Sequence, residues 1–217
     1  MILITGASSG IGAGIARKLA ASGAILLLGA RRIDRLQTLA EELQQHGVEV
    51  AVAPLDVTSR LSVQQVAQVA LDKWGRIDVM INSAGVMPLS PLAALKVDEW
   101  DQMINVNIKG VLYGITGALA VSPTAAVYCA TKFAVQAISD DLRQENTQLH
   151  VTCVHPGVVE SELAGTIMDA SAAALMNEYR AIALQPDAIG RAVRFAIEQP
   201  DEVDVSEIVV RPTRSPN

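Results

Sequence analysis

A phenol and an ammonium stand four residues apart in Tyr128-Cys129-Ala130-Thr131-Lys132. Residues i and i+4 share one face of a helix, so both side chains can enter a single cleft. A phenol with a pKa near 10 is a poor proton donor at neutral pH, but a fixed positive charge beside it stabilises the phenolate and eases proton transfer. The pair is therefore suited to general acid/base chemistry. An amphipathic helix with a half-exposed tyrosine produces the same spacing, so the pair takes its meaning from the other end of the chain.

There, Ile2 to Ile4 form a short apolar run that ends in Thr5-Gly6-Ala7-Ser8-Ser9-Gly10-Ile11-Gly12, and Ile11, Ile15 and Leu19 then fall on one helical stripe that stops at Gly23. The pattern is strand, glycine turn, helix. Such a turn aims free backbone N–H groups and the positive end of the helix dipole at one point, which suits a pyrophosphate. Gly6 permits the tight turn, Gly10 a close approach of backbone to ligand, and Gly12 close packing of helix on strand. The spacing is Gly-x-x-x-Gly-x-Gly, not the commoner Gly-x-Gly-x-x-Gly.

The elements that must position these groups alternate along the chain. Ile25 to Leu28 read as a strand covered on both faces and run into Gly29-Ala30-Arg31-Arg32. At the end of such a second strand an acid would bind the ribose 2′-hydroxyl of NAD(H), whereas arginine accepts the 2′-phosphate of NADP(H). Arg31 and Arg32 with no acid favour NADP(H) over NAD(H). A helix from Asp34 to Gly47, a third strand over Val48 to Ala53, a helix reaching Trp74-Gly75 and a fourth strand over Ile77 to Ile81 follow. Asp56, after the third strand, suits either an adenine amino group or a helix cap. Right-handed crossovers and a parallel sheet follow from this alternation. Leu149 to Val154 read as a later strand, Pro186 to Gln199 as a last helix and Val205 to Val210 as the final strand.

Composition sets the frame. The 217 residues carry no linker-like tract or internal repeat and are read as one domain, 1–217. Half are hydrophobic, yet no apolar run is long enough to cross a bilayer, and the N-terminus lacks the pattern of a signal peptide. A soluble, cytoplasmic protein is expected, with Cys129 and Cys153 buried and reduced. A net charge of −6 without a basic cluster argues against nucleic acid or an anionic membrane as partner and leaves a small molecule. His46 and His150 have no carboxylate or cysteine partners at metal spacing, and no metal is indicated.

Thr5-Gly6-x-x-x-Gly10-x-Gly12, Asp56, Asn82-x-Ala84-Gly85, Asn105-Val106-Asn107, Tyr128-x-x-x-Lys132 and Pro156-Gly157-Val158-Val159-Glu160-Ser161 occur in the order seen in the short-chain dehydrogenase/reductase superfamily. As a set they resemble its compact single-domain branch over nearly the whole chain. The resemblance implies an α/β doubly wound parallel sheet (Rossmann fold) with strand order 3-2-1-4-5-6-7. It also implies an NADP-dependent enzyme that interconverts a secondary alcohol and a carbonyl. Tyr128 would exchange a proton with the substrate oxygen, Lys132 would bind the nicotinamide ribose and tune Tyr128, Asn107 would hold a relay water, and His155, unused by the family's chemistry, would be a tolerated loop residue. The cofactor would lie against Gly6, Ser8, Ser9, Gly10, Ile11 and Gly12, with Arg31, Arg32, Asp56 and Val57 at its adenosine end. Asn82, Ala84, Gly85, Tyr128, Lys132, Pro156, Gly157, Val159 and Ser161 would line the rest, Val159 meeting the carboxamide. The helix after Lys132 would form a homodimer or homotetramer contact, and mobile helices over Ser161 to Leu184 would cover the substrate. The tail Ser206 to Thr213 resembles members that act on small polar hydroxy acids or aldehydes.

The pattern departs from the family at two places. Ser83 replaces the second asparagine of an Asn-Asn-Ala-Gly motif. More seriously, the family has a fifth strand ending in a substrate-holding serine about a dozen residues before the tyrosine. Here Gly110 to Val127 read GVLYGITGALAVSPTAAV, and Ala118 to Val127 hold no β-branched apolar run long enough for a strand. A segment carrying strand 5 and its serine is expected to be lacking between about Ala118 and Ser122, with Ser122 too close to Tyr128 to replace it. The rival reading is a nucleotide-binding scaffold that has lost catalysis with that serine.

Overall fold

The computed structural model describes residues 1–90, 94–113, 126–162, 167, 173–174 and 180–214. Strands β1 (Ile2–Thr5), β2 (Leu26–Ala30), β3 (Val50–Pro54) and β4 (Val79–Asn82) form a parallel sheet in the order β3-β2-β1-β4. Helices α1 (Gly10–Ala20), α2 (Ile33–Gln44) and α3 (Arg60–Trp74) make the crossovers. β1 and β2 are buried along their whole length because both faces are covered. Ile2, Ile4, Leu26 and Leu28 pack on one side with α1 and α2, while Leu3 and Leu27 pack on the other with Val66 and Ala70 of α3. Strand alternation thus feeds two cores, one on each face.

Helix α4 (Val97–Met103) continues through a π-helical stretch, Ile104–Lys109, into the short α5 (Gly110–Leu112). It lies on the second face with Met103 and Val106 inward, and Tyr128 of the long α6 (Ala126–Glu145) packs on the same core. Chain contact is close at Gly110, where a Cβ would stand 2.8 Å from Val57 Cγ2. On the first face α7 (Pro186–Ile197) crosses α1 at two glycines. A Cβ on Gly14 would lie 2.4 Å from Pro186 Cβ, and one on Gly190 would lie 2.9 Å from Lys18 Cβ.

One continuous sheet is expected from the sequence, but the described strands form two groups. β5 (Cys153–Pro156) and β6 (Glu207–Val210) pair in parallel with each other, and among the described residues no strand joins them to β4. Val154 and Val210 still pack on the same core as β1, β2, α1 and α7. All four residues of β4 are half-buried, in contrast to the fully buried β1. The interruption falls where strand 5 of the family order belongs. The stretch Ala118 to Ser122 lies outside the described residues, as do Met168, Met176 and Tyr179 of the expected substrate-covering region.

Smaller differences have local causes. The strand expected over Leu149 to Val154 begins only at Cys153. The Val151 N–H donates to the Asp204 carboxylate (3.2 Å) and its carbonyl accepts from Arg143 (2.8 Å), so side chains take the place of a ladder there. His155 is not a loop residue: it is buried in β5, 3.8 Å from Glu207, and burial pushes its pKa down. β6 starts at Glu207, two residues later than expected.

Candidate active site

The turn after β1 is built as its glycines require. Gly6 has φ of +67°, and a Cβ there would stand 2.7 Å from the Ala84 Cα, so β1 runs directly against the Asn82–Gly85 strip. Thr5 ties the two together: its hydroxyl accepts from the N–H groups of Ser83 (3.1 Å) and Ala84 (3.2 Å) and lies 3.4 Å from the Ile81 carbonyl. A Cβ at Gly12 would meet the Gly6 carbonyl oxygen at 2.5 Å, which fixes α1 close to the strand. The serine at 83 contributes through its backbone, so the departure from the Asn-Asn-Ala-Gly motif leaves this joint intact.

An anion site lies beside the turn. Arg32 reaches back from the end of β2, donating from Nη2 to the hydroxyls of Ser9 (2.7 Å) and Ser8 (3.3 Å). Its Nη1 binds the Glu162 carboxylate at 2.6 Å, and Arg35, one turn further along α2, holds the other oxygen. Both arginines donate to this carboxylate and hold its pKa down at about 2. Ser161 closes over the turn, its Cβ 3.0 Å from where a Cβ of Gly10 would be. Arg31 takes a different direction. Its charge acts on Asp56, whose Oδ1 accepts from the Thr58 N–H (2.9 Å) and hydroxyl (2.7 Å). Asp56 is thus a cap of the turn before α3, the alternative left open by its position.

Tyr128 and Lys132 stand on one face of α6. Lys132 Nζ stands 5.3 Å from the centroid of the Tyr128 ring, and Tyr128 is half-buried between the second core and a small cluster of Leu89, Cys129 and Ile167. Asn107, in the π-helical stretch, is buried and bonds Val86 twice: Oδ1 accepts from its N–H and Nδ2 donates to its carbonyl, both at 2.9 Å. Nδ2 also lies 3.4 Å from the Thr131 hydroxyl, which donates to the Tyr128 carbonyl at 2.7 Å. The carboxamide thereby joins the strip after β4 to α6. A π-helical turn at this position matches the tendency of such turns to mark functional sites.

After β5, Val159 is buried and bridges to Leu184, while Gly157 packs against Arg211 and Pro212 within 3.0 Å of its added Cβ. Gly157 thus serves the approach of the strand after β6. Sequence reading missed Arg35, Thr131, Thr5 and Glu162. Arg35 had a signal, since it follows Arg32 at i+3 on a helix face. Glu162 had none, because 127 residues separate it from Arg35.

The statistical model of the short chain dehydrogenase family matches residues 1–121 and again 116–172. The chain belongs to the short-chain dehydrogenase/reductase family. It is 41% identical over 237 residues to an uncharacterised oxidoreductase of Staphylococcus saprophyticus, covering 98% of this chain and 96% of that one. It is 39% identical to an uncharacterised oxidoreductase of Listeria monocytogenes, covering 100% and 97%. An alcohol dehydrogenase of Thermococcus sibiricus complexed with 5-hydroxy-NADP superposes with a TM-score of 0.88 at 32% identity, covering 99% and 97%. The closed form of a serine dehydrogenase complexed with NADP+ does so at 0.86 and 27%, covering 96% and 93%.

The short-chain dehydrogenase/reductase family accounts for the divided sheet. The Listeria alignment runs over 241 positions against the 217 residues of this chain, a difference of 24, and the family match breaks and restarts between 116 and 121. About two dozen positions are ample for one strand and its loop. The protein is an oxidoreductase of this family with a nicotinamide cofactor. Among the described residues no helix is long and apolar enough to cross a membrane.

Proposed function

We propose that the protein is an NADP(H)-dependent oxidoreductase that interconverts a secondary alcohol and a carbonyl, with Tyr128 as acid/base. The observation that carries this reading is the placing of Lys132 Nζ 5.3 Å from the Tyr128 ring on a helix that Thr131 and Asn107 join to the strip after β4. The turn suits the cofactor: Gly6, Gly10 and Gly12 let β1, the turn and α1 pack closer than any side chain allows, and Arg32, held beside Ser8 and Ser9, already binds a carboxylate. The nicotinamide, when bound, supplies or accepts the hydride. In the reducing direction Tyr128 donates its hydroxyl proton to the substrate oxygen as the carbonyl carbon gains hydride, so the product is the alcohol. Lys132 stabilises the negative charge left on Tyr128, and solvent restores the proton. Arg32, with Arg31 at the adenine side, selects the 2′-phosphate; Asn82, Ala84, Gly85 and Val159 line the cleft, and the acceptor is a small polar aldehyde or hydroxy-acid precursor. A cytoplasmic homodimer or homotetramer completes the reading.

The test is NADPH and NADH oxidation over a panel of small carbonyls. Turnover with at least one carbonyl and a preference for NADPH are expected. Arg31→Asp and Arg32→Ala each shift that preference toward NADH, and an unchanged preference in both defeats the cofactor assignment. A second reading is favoured by the divided sheet: a nucleotide-binding scaffold without catalysis, since the family's substrate-holding serine has no described counterpart. Tight cofactor binding with no turnover across the panel establishes it.

A further inference from the structure

We infer that Glu162 is an internal competitor of the cofactor's 2′-phosphate: its carboxylate occupies the pocket formed by Arg32, Arg35, Ser8 and Ser9, and NADP(H) must displace it to bind. This rests on the assignment of Arg32 and the two serines to the phosphate. Two independent observations support it. The carboxylate is shared between Arg32 Nη1 at 2.6 Å and Arg35, while Arg32 Nη2 keeps its hold on Ser9 at 2.7 Å. Two guanidinium groups meet on one anion, with the Ser8 and Ser9 hydroxyls beside them on Arg32; a phosphate monoester takes such a donor set, and the carboxylate uses only the two guanidinium groups. Separately, the preceding residue, Ser161, lies on the glycine turn with its Cβ 3.0 Å from the space over Gly10, and its carbonyl is held by Arg180 at 2.9 Å. Residues 161 and 162 therefore cover both parts of the surface where phosphates approach.

The side chains of Glu162, Arg32 and Arg35 are each 42% to 51% exposed, so the clamp is a solvent-screened network that a doubly charged phosphate outcompetes. The held carboxylate has a pKa of about 2 and so stays charged at any pH where the enzyme works. NAD(H) has no 2′-phosphate and gains nothing by removing it. Glu162 thus sets the affinity for NADP(H) without belonging to the chemistry.

Isothermal calorimetry on the full chain tests this with NADP+, adenosine 2′,5′-bisphosphate, NAD+ and 5′-AMP. In Glu162→Gln the first two ligands bind about three- to tenfold tighter, the range expected for removing one screened competitor, while NAD+ and 5′-AMP change less than about twofold. Glu162→Ala gives the same pattern and guards against a glutamine that still bonds both arginines. Unchanged or weaker NADP+ binding in both variants overturns the proposal, because Glu162 would then be positioning the arginines. If the unaltered protein shows no preference for NADP+ over NAD+ and Arg32→Ala changes neither, the cofactor reading has failed first and the proposal falls with it.

Discussion

At the scale of single residues the site divides into groups that touch the reaction and groups that hold them. In the proposed reaction Tyr128 is in the first class. Tyr128→Phe keeps the ring packing against Leu89 and the second core but removes the proton, so a loss of about 10²- to 10⁴-fold in kcat with cofactor affinity unchanged is expected in steady-state and binding assays. Asn107 is in the second class. Asn107→Ala strands the buried N–H and carbonyl of Val86, and denaturant unfolding should show a loss of about 2–4 kcal/mol. Glu162 gives a pH signature. Its pKa of about 2 in the folded chain lies below the ordinary 4.5, so its contribution to stability is present above pH 4.5 and vanishes as pH falls toward 2. Because the group is half-exposed, solvent screening reduces that contribution to at most about 1 kcal/mol. Melts of the unaltered protein and Glu162→Gln should therefore differ slightly at neutral pH and converge at pH 2. Motif spacing marks the glycine turn, Arg32, and Tyr128 with Lys132 on one helix face, because each depends on a local pattern. The work of Thr5, Thr131 and Glu162 depends on contacts across the fold, which spacing does not encode.

At the scale of elements, the joint between α1 and α7 is the most sensitive to volume. A methyl on Gly14 would lie 2.4 Å from Pro186 Cβ and 2.9 Å from its carbonyl carbon, so Gly14→Ala must push the helices apart at a cost of about 1–3 kcal/mol. Gly23→Ala meets no atom within 4 Å and loses only the ease of φ at +79°, about 1 kcal/mol. Thermal melts of the two variants separate packing from backbone strain. Helices and buried strands were legible from apolar periodicity, and their ends shifted by only a few residues. The strand expected from Leu149 failed because Arg143 and Asp204 satisfy the Val151 backbone, a substitution of side chains for ladder that no local pattern announces.

At the scale of the whole molecule, the interrupted sheet is the unusual feature. Among the described residues no strand lies between β4 and β5; Ala118 to Val127 contain no strand-like run, and the family match breaks and restarts at the same place. That β5 and β6 would pair as a separate sheet, yet share a core with β1 and α7, was not legible, since it depends on α7 packing against both α1 and the second sheet. Hydrogen exchange should register the interruption: amides of half-buried β4 exchange faster than those of β1, which has strand neighbours on both sides. The central claim is that the site turns over through Tyr128 despite this interruption, and NADPH consumption over a carbonyl panel by the unaltered protein and Tyr128→Phe tests it most directly. The account predicts turnover that the Tyr128→Phe substitution lowers by at least about 10²-fold. Equal turnover in the two proteins, or cofactor binding with no turnover in either, would contradict it.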